Sequence, residues 1–128
     1  MHEHSSLVDE VADMLMACKL FDDFPAAKLR SAARYFGCSK VARGQFIFRE
    51  GDAGTFMCII HSGQVAVRKA DSDGNNVDIA VLRDGRVFGE MAALDGERRS
   101  ATCLAATDCI LSTLAKSSLE KMLLEAPL

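Results

Sequence analysis

From Gly44 to Gly85 the chain is punctuated by turn signals roughly ten residues apart: Gly44, Gly51 to Gly54, Ser62-Gly63, Asp73-Gly74-Asn75 and Asp84-Gly85. Punctuation at that interval leaves space for short antiparallel strands joined by tight turns. The segments between are apolar and rich in strand formers: Phe46 to Phe48, Phe56 to Ile60, Val65 to Val67 and Val77 to Leu82. Val65 with Val67, and Val77 with Ile79 and Val81, alternate as strands with one buried face do. Thr102 to Ala105 and Cys109 to Leu114 supply two more, split by a turn at Thr107-Asp108. About eight short strands of this kind predict a mainly β fold, an antiparallel β-roll of jelly-roll type.

Helices flank this region. Ser6 with Asp9 makes a capping-box-like start, after which Leu7, Val11, Met14, Leu15 and Cys18 recur at helical spacing. The stripe needs a surface, either the domain's own core or a second subunit. Pro25 suits the first position of a second helix, with Leu29, Ala32, Ala33 and Phe36 on its buried face and Gly37 at its end. Ser117 with Glu120 opens a last helix, with Leu119, Met122 and Leu123 inward and Pro127 as its stop.

The chain has 128 residues, 49% hydrophobic and 26% charged, enough for one soluble domain with its own core. No apolar run approaches the roughly 18 residues of a membrane span, and the N-terminus lacks the pattern of a secretion signal; a cytoplasmic protein is expected. A net charge of -3 argues against a nucleic-acid surface. Cys18, Cys38, Cys58, Cys103 and Cys109 have neither metal-ligand nor C-x-x-C spacing and read as reduced core residues. His2 and His4 read as part of a mobile tail and His61 as a packed histidine. Neither a P-loop nor a G-x-S-x-G elbow is present, which argues against an enzyme and against any cofactor or metal.

The chemistry concentrates in Phe88 to Thr102, FGEMAALDGERRSAT. Gly89 permits close backbone approach, Glu90 is an acceptor beside it, and Met91, Ala92, Ala93 and Leu94 form a short helix that starts where a negative group can sit. Asp95 and Gly96 turn the chain, and Arg98 to Thr102 return a guanidinium toward the helix start. That pairing suits a phosphate.

This run resembles the phosphate-binding cassette of cyclic nucleotide-binding domains, the family of the catabolite activator protein, the regulatory subunit of cyclic AMP-dependent protein kinase and cyclic-nucleotide-gated channels. REGDAGTFMCIIHSGQVAV, from Arg49 to Val67, is similar to the same family's preceding stretch, and the resemblance runs from about Leu20 to Leu124. It implies a nucleotide-binding domain over 20–128 behind a helical extension over 1–19. It also implies a ligand site of Phe88, Gly89, Glu90, Met91, Ala92, Arg99, Ser100 and Ala101. In it Glu90 would accept from the ribose 2'-hydroxyl, amides near Gly89, Met91 and Ala92 would donate to the phosphate, and Arg99 would neutralise it. Ser100 would add a hydroxyl to phosphate or base, Arg98 would be a solvated turn residue, and Val67 and Ile79 would either wall the base or belong to the core.

The expected function is a regulatory module that senses a cyclic nucleotide, cyclic AMP in preference to cyclic GMP, and signals by movement of its last helix. The family places a further helix over the base and an effector before or after the domain. With the sequence stopping at Leu128, a fragment, a lid from the N-terminal helix or a partner, and an exposed base are all open. The alternative is a structural or dimerisation domain with a vestigial pocket.

Overall fold

The computed structural model describes residues 2–17 and 21–125. Among the described residues are eight strands and four α-helices: α1 (His2–Met16), α2 (Ala26–Ala32), β1 (Gly37–Val41), β2 (Phe46–Phe48), β3 (Phe56–Ser62), β4 (Val65–Ala70), β5 (Asn76–Leu82), β6 (Val87–Phe88), α3 (Glu90–Asp95), β7 (Thr102–Ala105), β8 (Cys109–Ala115) and α4 (Lys116–Glu125). The strands form two antiparallel four-stranded sheets, ordered β1-β8-β3-β6 and β2-β7-β4-β5. This is the expected roll.

Two apolar clusters hold it together. The first lies between the sheets and joins Phe48, Cys58, Ile60, Val65, Phe88, Cys103, Ala105, Cys109 and Leu111. The second lies on the outer face of the first sheet, where Met57, Ile59 and Leu114 meet Val11, Ala12 and Leu15 of α1, Leu29 and Ala32 of α2, Ala93 of α3, and Leu119 and Met122 of α4. Strand β3 feeds both clusters from alternate residues, Cys58 and Ile60 on one side and Met57 and Ile59 on the other. Its unbroken apolar run FMCII is what burial on both faces demands. The stripe of α1 thus packs on the chain's own core, with Val11 and Leu15 almost fully buried. His61, also on β3, has its side chain 6% exposed; its Nε2 lies 2.5 Å from the Ser112 hydroxyl and its Nδ1 3.5 Å from the Glu10 carboxylate of α1.

Several local expectations are corrected. Helix α1 begins before Ser6, so the Ser6–Asp9 pair is internal to it; Cys18, Leu20 and Pro127 lie outside the described residues. Pro25 is the N-cap of α2 rather than its first residue, and a short 3-10 turn, Ala33–Tyr35, follows the helix. Gly37 opens β1 instead of closing a helix. Cys38 is exposed on that strand, whereas Cys58, Cys103 and Cys109 are buried free thiols.

The largest correction concerns β5. Val77, Ile79 and Val81 are 46%, 56% and 47% exposed, so their alternation does not mark a buried face. β5 is an edge strand paired only with β4, and the helices cover the other sheet. Across the β4–β5 ladder Val65 faces Leu82 and Val67 faces Ala80, which puts the even-numbered β5 residues on the core side there. A register shift beyond Val67 then leaves Ile79 with no partner. Ile79→Lys is therefore expected to change unfolding free energy by less than about 1 kcal/mol. Ile60→Ala, at a fully buried position, should cost about 2 to 5 kcal/mol. Urea denaturation of the two variants checks both values, and a large loss for Ile79→Lys would contradict this register.

Candidate functional site

Gly89 sets the site's geometry. It caps the N-terminus of α3 in the left-handed region, φ 78°, and a Cβ built on it would stand 2.7 Å from Nη1 of Arg99. Only glycine meets both demands. The turn releases α3 directly from β6, and the chain then returns through Gly96, also left-handed, toward β7. Between these two glycines the helix lies over Gly54. A Cβ there would approach the Cβ of Ala92 to 2.4 Å and its backbone carbonyl carbon to 2.7 Å. Gly54 has no positive φ; its requirement is purely the closeness of the helix.

Arg99 is 3% exposed. Its guanidinium carbon sits 3.9 Å from the centre of the Phe48 ring and 4.9 Å from that of Phe56, against their faces. Nη1 donates to the Gly89 carbonyl at 2.8 Å and Nη2 donates to the Phe56 carbonyl. Nε is buried with no partner among the described residues. Burial lowers the Arg99 pKa from its ordinary value, with Cys58, Cys103, Asp52 and Glu90 pulling the other way. The same burial pushes the Cys58 thiol up to about 12 and Cys103 to about 11, against the opposing pull of Arg99. These thiols stay protonated and contribute bulk rather than nucleophiles.

The cleft above this guanidinium has a volume of about 290 Å³. Of the residues that the resemblance implied for a ligand site, Phe88, Gly89, Glu90, Met91, Ala92, Arg99, Ser100, Ala101 and Val67 border it. Ile79 does not; it lies outside the cleft on the exposed edge strand, and Leu82 of the same strand borders the cleft instead. The reason is the register described above, since the spacing of β-branched residues cannot tell which set of alternate positions faces inward. Four further residues line the cleft without having been expected there: Phe48, Glu97, Arg98 and Cys103. Arg98 is exposed but anchored, its Nη1 donating to the Gly51 carbonyl at 2.8 Å. The Phe48 contact with Arg99 joins a strand to a connecting segment far away in sequence and carries no local signal.

Glu90 is half-buried between this cleft and a smaller one under the end of α1, bordered by Met14, Ala17 and Arg86. Burial raises its carboxyl above the ordinary range, opposed by its own backbone hydrogen bond and by Arg86 and Arg99. A raised folded-state value means that the folded chain binds this proton more tightly than the unfolded chain. Its contribution to stability is then greatest at low pH and is lost as pH rises through the folded value. Glu90→Gln should therefore stabilise the ligand-free protein relative to wild type near pH ~7 and make little difference near pH ~4, as urea melts at the two values would show. Gly54→Ala should cost about 1 to 3 kcal/mol by lifting α3 from its seat, measured in the same way.

Residues 38–126 match the family model described as cyclic nucleotide-binding domain. The chain is 30% identical over 109 residues to the cyclic AMP receptor protein of Thermus thermophilus, covering 85% of this chain and 50% of that protein. It is 34% identical over 84 residues to a cAMP-dependent protein kinase regulatory subunit of Eremothecium gossypii, covering 66% of this chain and 17% of the subunit. It thus spans half or less of these relatives. A solved structure described as cAMP-bound PfPKA-R superposes with a TM-score of 0.85 at 27% identity, over 91% of this chain and 42% of that one.

Proposed function

Since this chain belongs to the cyclic nucleotide-binding domain family, we propose that it is a regulatory module that binds a cyclic nucleotide in the cleft beside α3, cyclic AMP in preference to cyclic GMP. The observation that carries the reading is Arg99. A guanidinium has five N–H donors, and the two carbonyls account for two of them. The buried, unpartnered Nε leaves a donor that a phosphate oxygen would satisfy, and the cation is already desolvated and oriented by two aromatic rings. Glu90, half-buried at the start of α3, is the acceptor for a ribose hydroxyl. Val67 and Leu82 offer an apolar wall for the base.

The preference for cyclic AMP is supported by Ser100, which borders the cleft immediately after the arginine. The names of the cyclic AMP receptor protein and of the cAMP-dependent kinase subunit agree with it. Binding is read out through α4, which packs against α3 in the outer cluster through Ala93, Leu119 and Met122. A ligand that draws α3 toward its phosphate shifts the balance between two positions of α4 by its differential affinity for them.

Calorimetric titration with cyclic AMP, cyclic GMP and 5'-AMP tests the reading. Micromolar or tighter binding of cyclic AMP, weaker binding of cyclic GMP and much weaker binding of 5'-AMP is the expected result; no heat from folded protein with any of them overturns it. Arg99→Ala is expected to cost roughly 2 to 5 kcal/mol of binding, about 30-fold to a few thousand-fold. Arg99→Lys, which keeps the charge and loses the planar fork, should not recover full affinity. Unchanged affinity in Arg99→Ala would exclude the arginine from the phosphate site.

A further inference from the structure

The segment Gly54-Thr55-Phe56 meets α3, Arg99 and the start of α4. Gly54 is the seat of Ala92 in α3, and the Phe56 carbonyl accepts from Arg99. Between them, the Thr55 carbonyl accepts from the backbone N–H of Lys116 at 2.8 Å. Lys116 is the first residue of α4, and its side chain goes elsewhere: Nζ donates to the Ala93 carbonyl of α3 at 2.8 Å, a partly buried bond. That carbonyl belongs to the last turn of a helix, whose C=O groups lack intrahelical donors and carry the negative end of the helix dipole. Gly96 lies beside this contact, a Cβ built on it standing 3.4 Å from Nζ, at ordinary van der Waals distance.

Lys116 therefore has one attachment on the seat and one on the helix that rests on it. Any displacement of α3 relative to β3 must stretch, turn or break the side-chain bond while the backbone bond keeps the start of α4 in place. We propose that Lys116 is the positioning residue through which α4 registers the position of α3, a polar tie beside the apolar contact of Ala93 with Leu119 and Met122. This rests on the reading of the cleft as a cyclic-nucleotide site, and it names a residue that couples binding to output without touching the ligand.

The test compares wild type, Lys116→Met and Lys116→Arg, each checked for unchanged thermal unfolding. Calorimetry with cyclic AMP gives the affinity, and amide hydrogen exchange of α4 with and without ligand gives the response. The expected result is that Lys116→Met keeps its affinity within about threefold of wild type. Its ligand-induced change in α4 exchange should fall to less than about a third, with Lys116→Arg restoring much of it. A wild-type response in Lys116→Met overturns the proposal, as does an affinity that falls in step with the response, because Lys116 would then act on the cleft itself. Ligand binding by wild type with no change in α4 overturns it as well. Absence of binding by wild type removes the cyclic-nucleotide reading and this proposal together, and the calorimetry separates that case from the others.

Discussion

Removing a guanidinium from water is costly, and the structure around Arg99 follows from meeting that cost. Phe48 and Phe56 lie against its plane, and the carbonyls of Gly89 and Phe56 take two of its donors. The four contacts come from three elements: β2, the start of β3, and the turn between β6 and α3. The roll must close for them to converge. A buried cation whose Nε has no protein partner among the described residues is unfavourable in the ligand-free chain. In the proposed complex an anion would relieve it and so link stability to binding through one side chain.

The backbone around that charge is built from close approaches that only glycine permits. Gly89 turns the chain under Arg99, and Gly54 lets α3 come down on the strand entry. The result is a six-residue helix held between a buried arginine at one end and the Lys116 ammonium at the other. So short a helix has little stability of its own and takes its position from these neighbours. In the proposed mechanism, that dependence would let it move with a ligand.

Glu90 gives the site its second electrostatic character. Its carboxyl is held above the ordinary range by burial, while Arg86 and Arg99 oppose that effect. It stands where the cleft and the end of α1 come together. In the proposed complex, burial of this carboxylate would place a ligand hydroxyl in a low-dielectric environment, where the hydrogen bond gains strength.

Turn spacing and apolar periodicity were sufficient for the roll and its flanking helices, because these are local properties, glycine at positive φ and two-residue alternation, while the cassette from Phe88 to Thr102 was recognised by the resemblance of its contiguous residues to a family. The burial of FMCII was legible as a continuous apolar run. What lay beyond the sequence depends on which faces meet. β5 alternates Val77, Ile79 and Val81 as a half-buried strand would, yet register sets Val81 opposite Ala66, a bulge leaves Ile79 unpaired, and Val77 lies toward the exposed start of an edge strand, so all three are exposed. The short strands β1 and β6 took form only through pairing with β8 and β3. Phe48 under Arg99, Ala92 on Gly54 and Lys116 on Ala93 each join residues distant along the chain, and only closure of the two sheets brings them within a few ångströms. Local sequence encodes which backbone shapes are permitted; it takes the folded packing to decide which side chain ends up beside which charge.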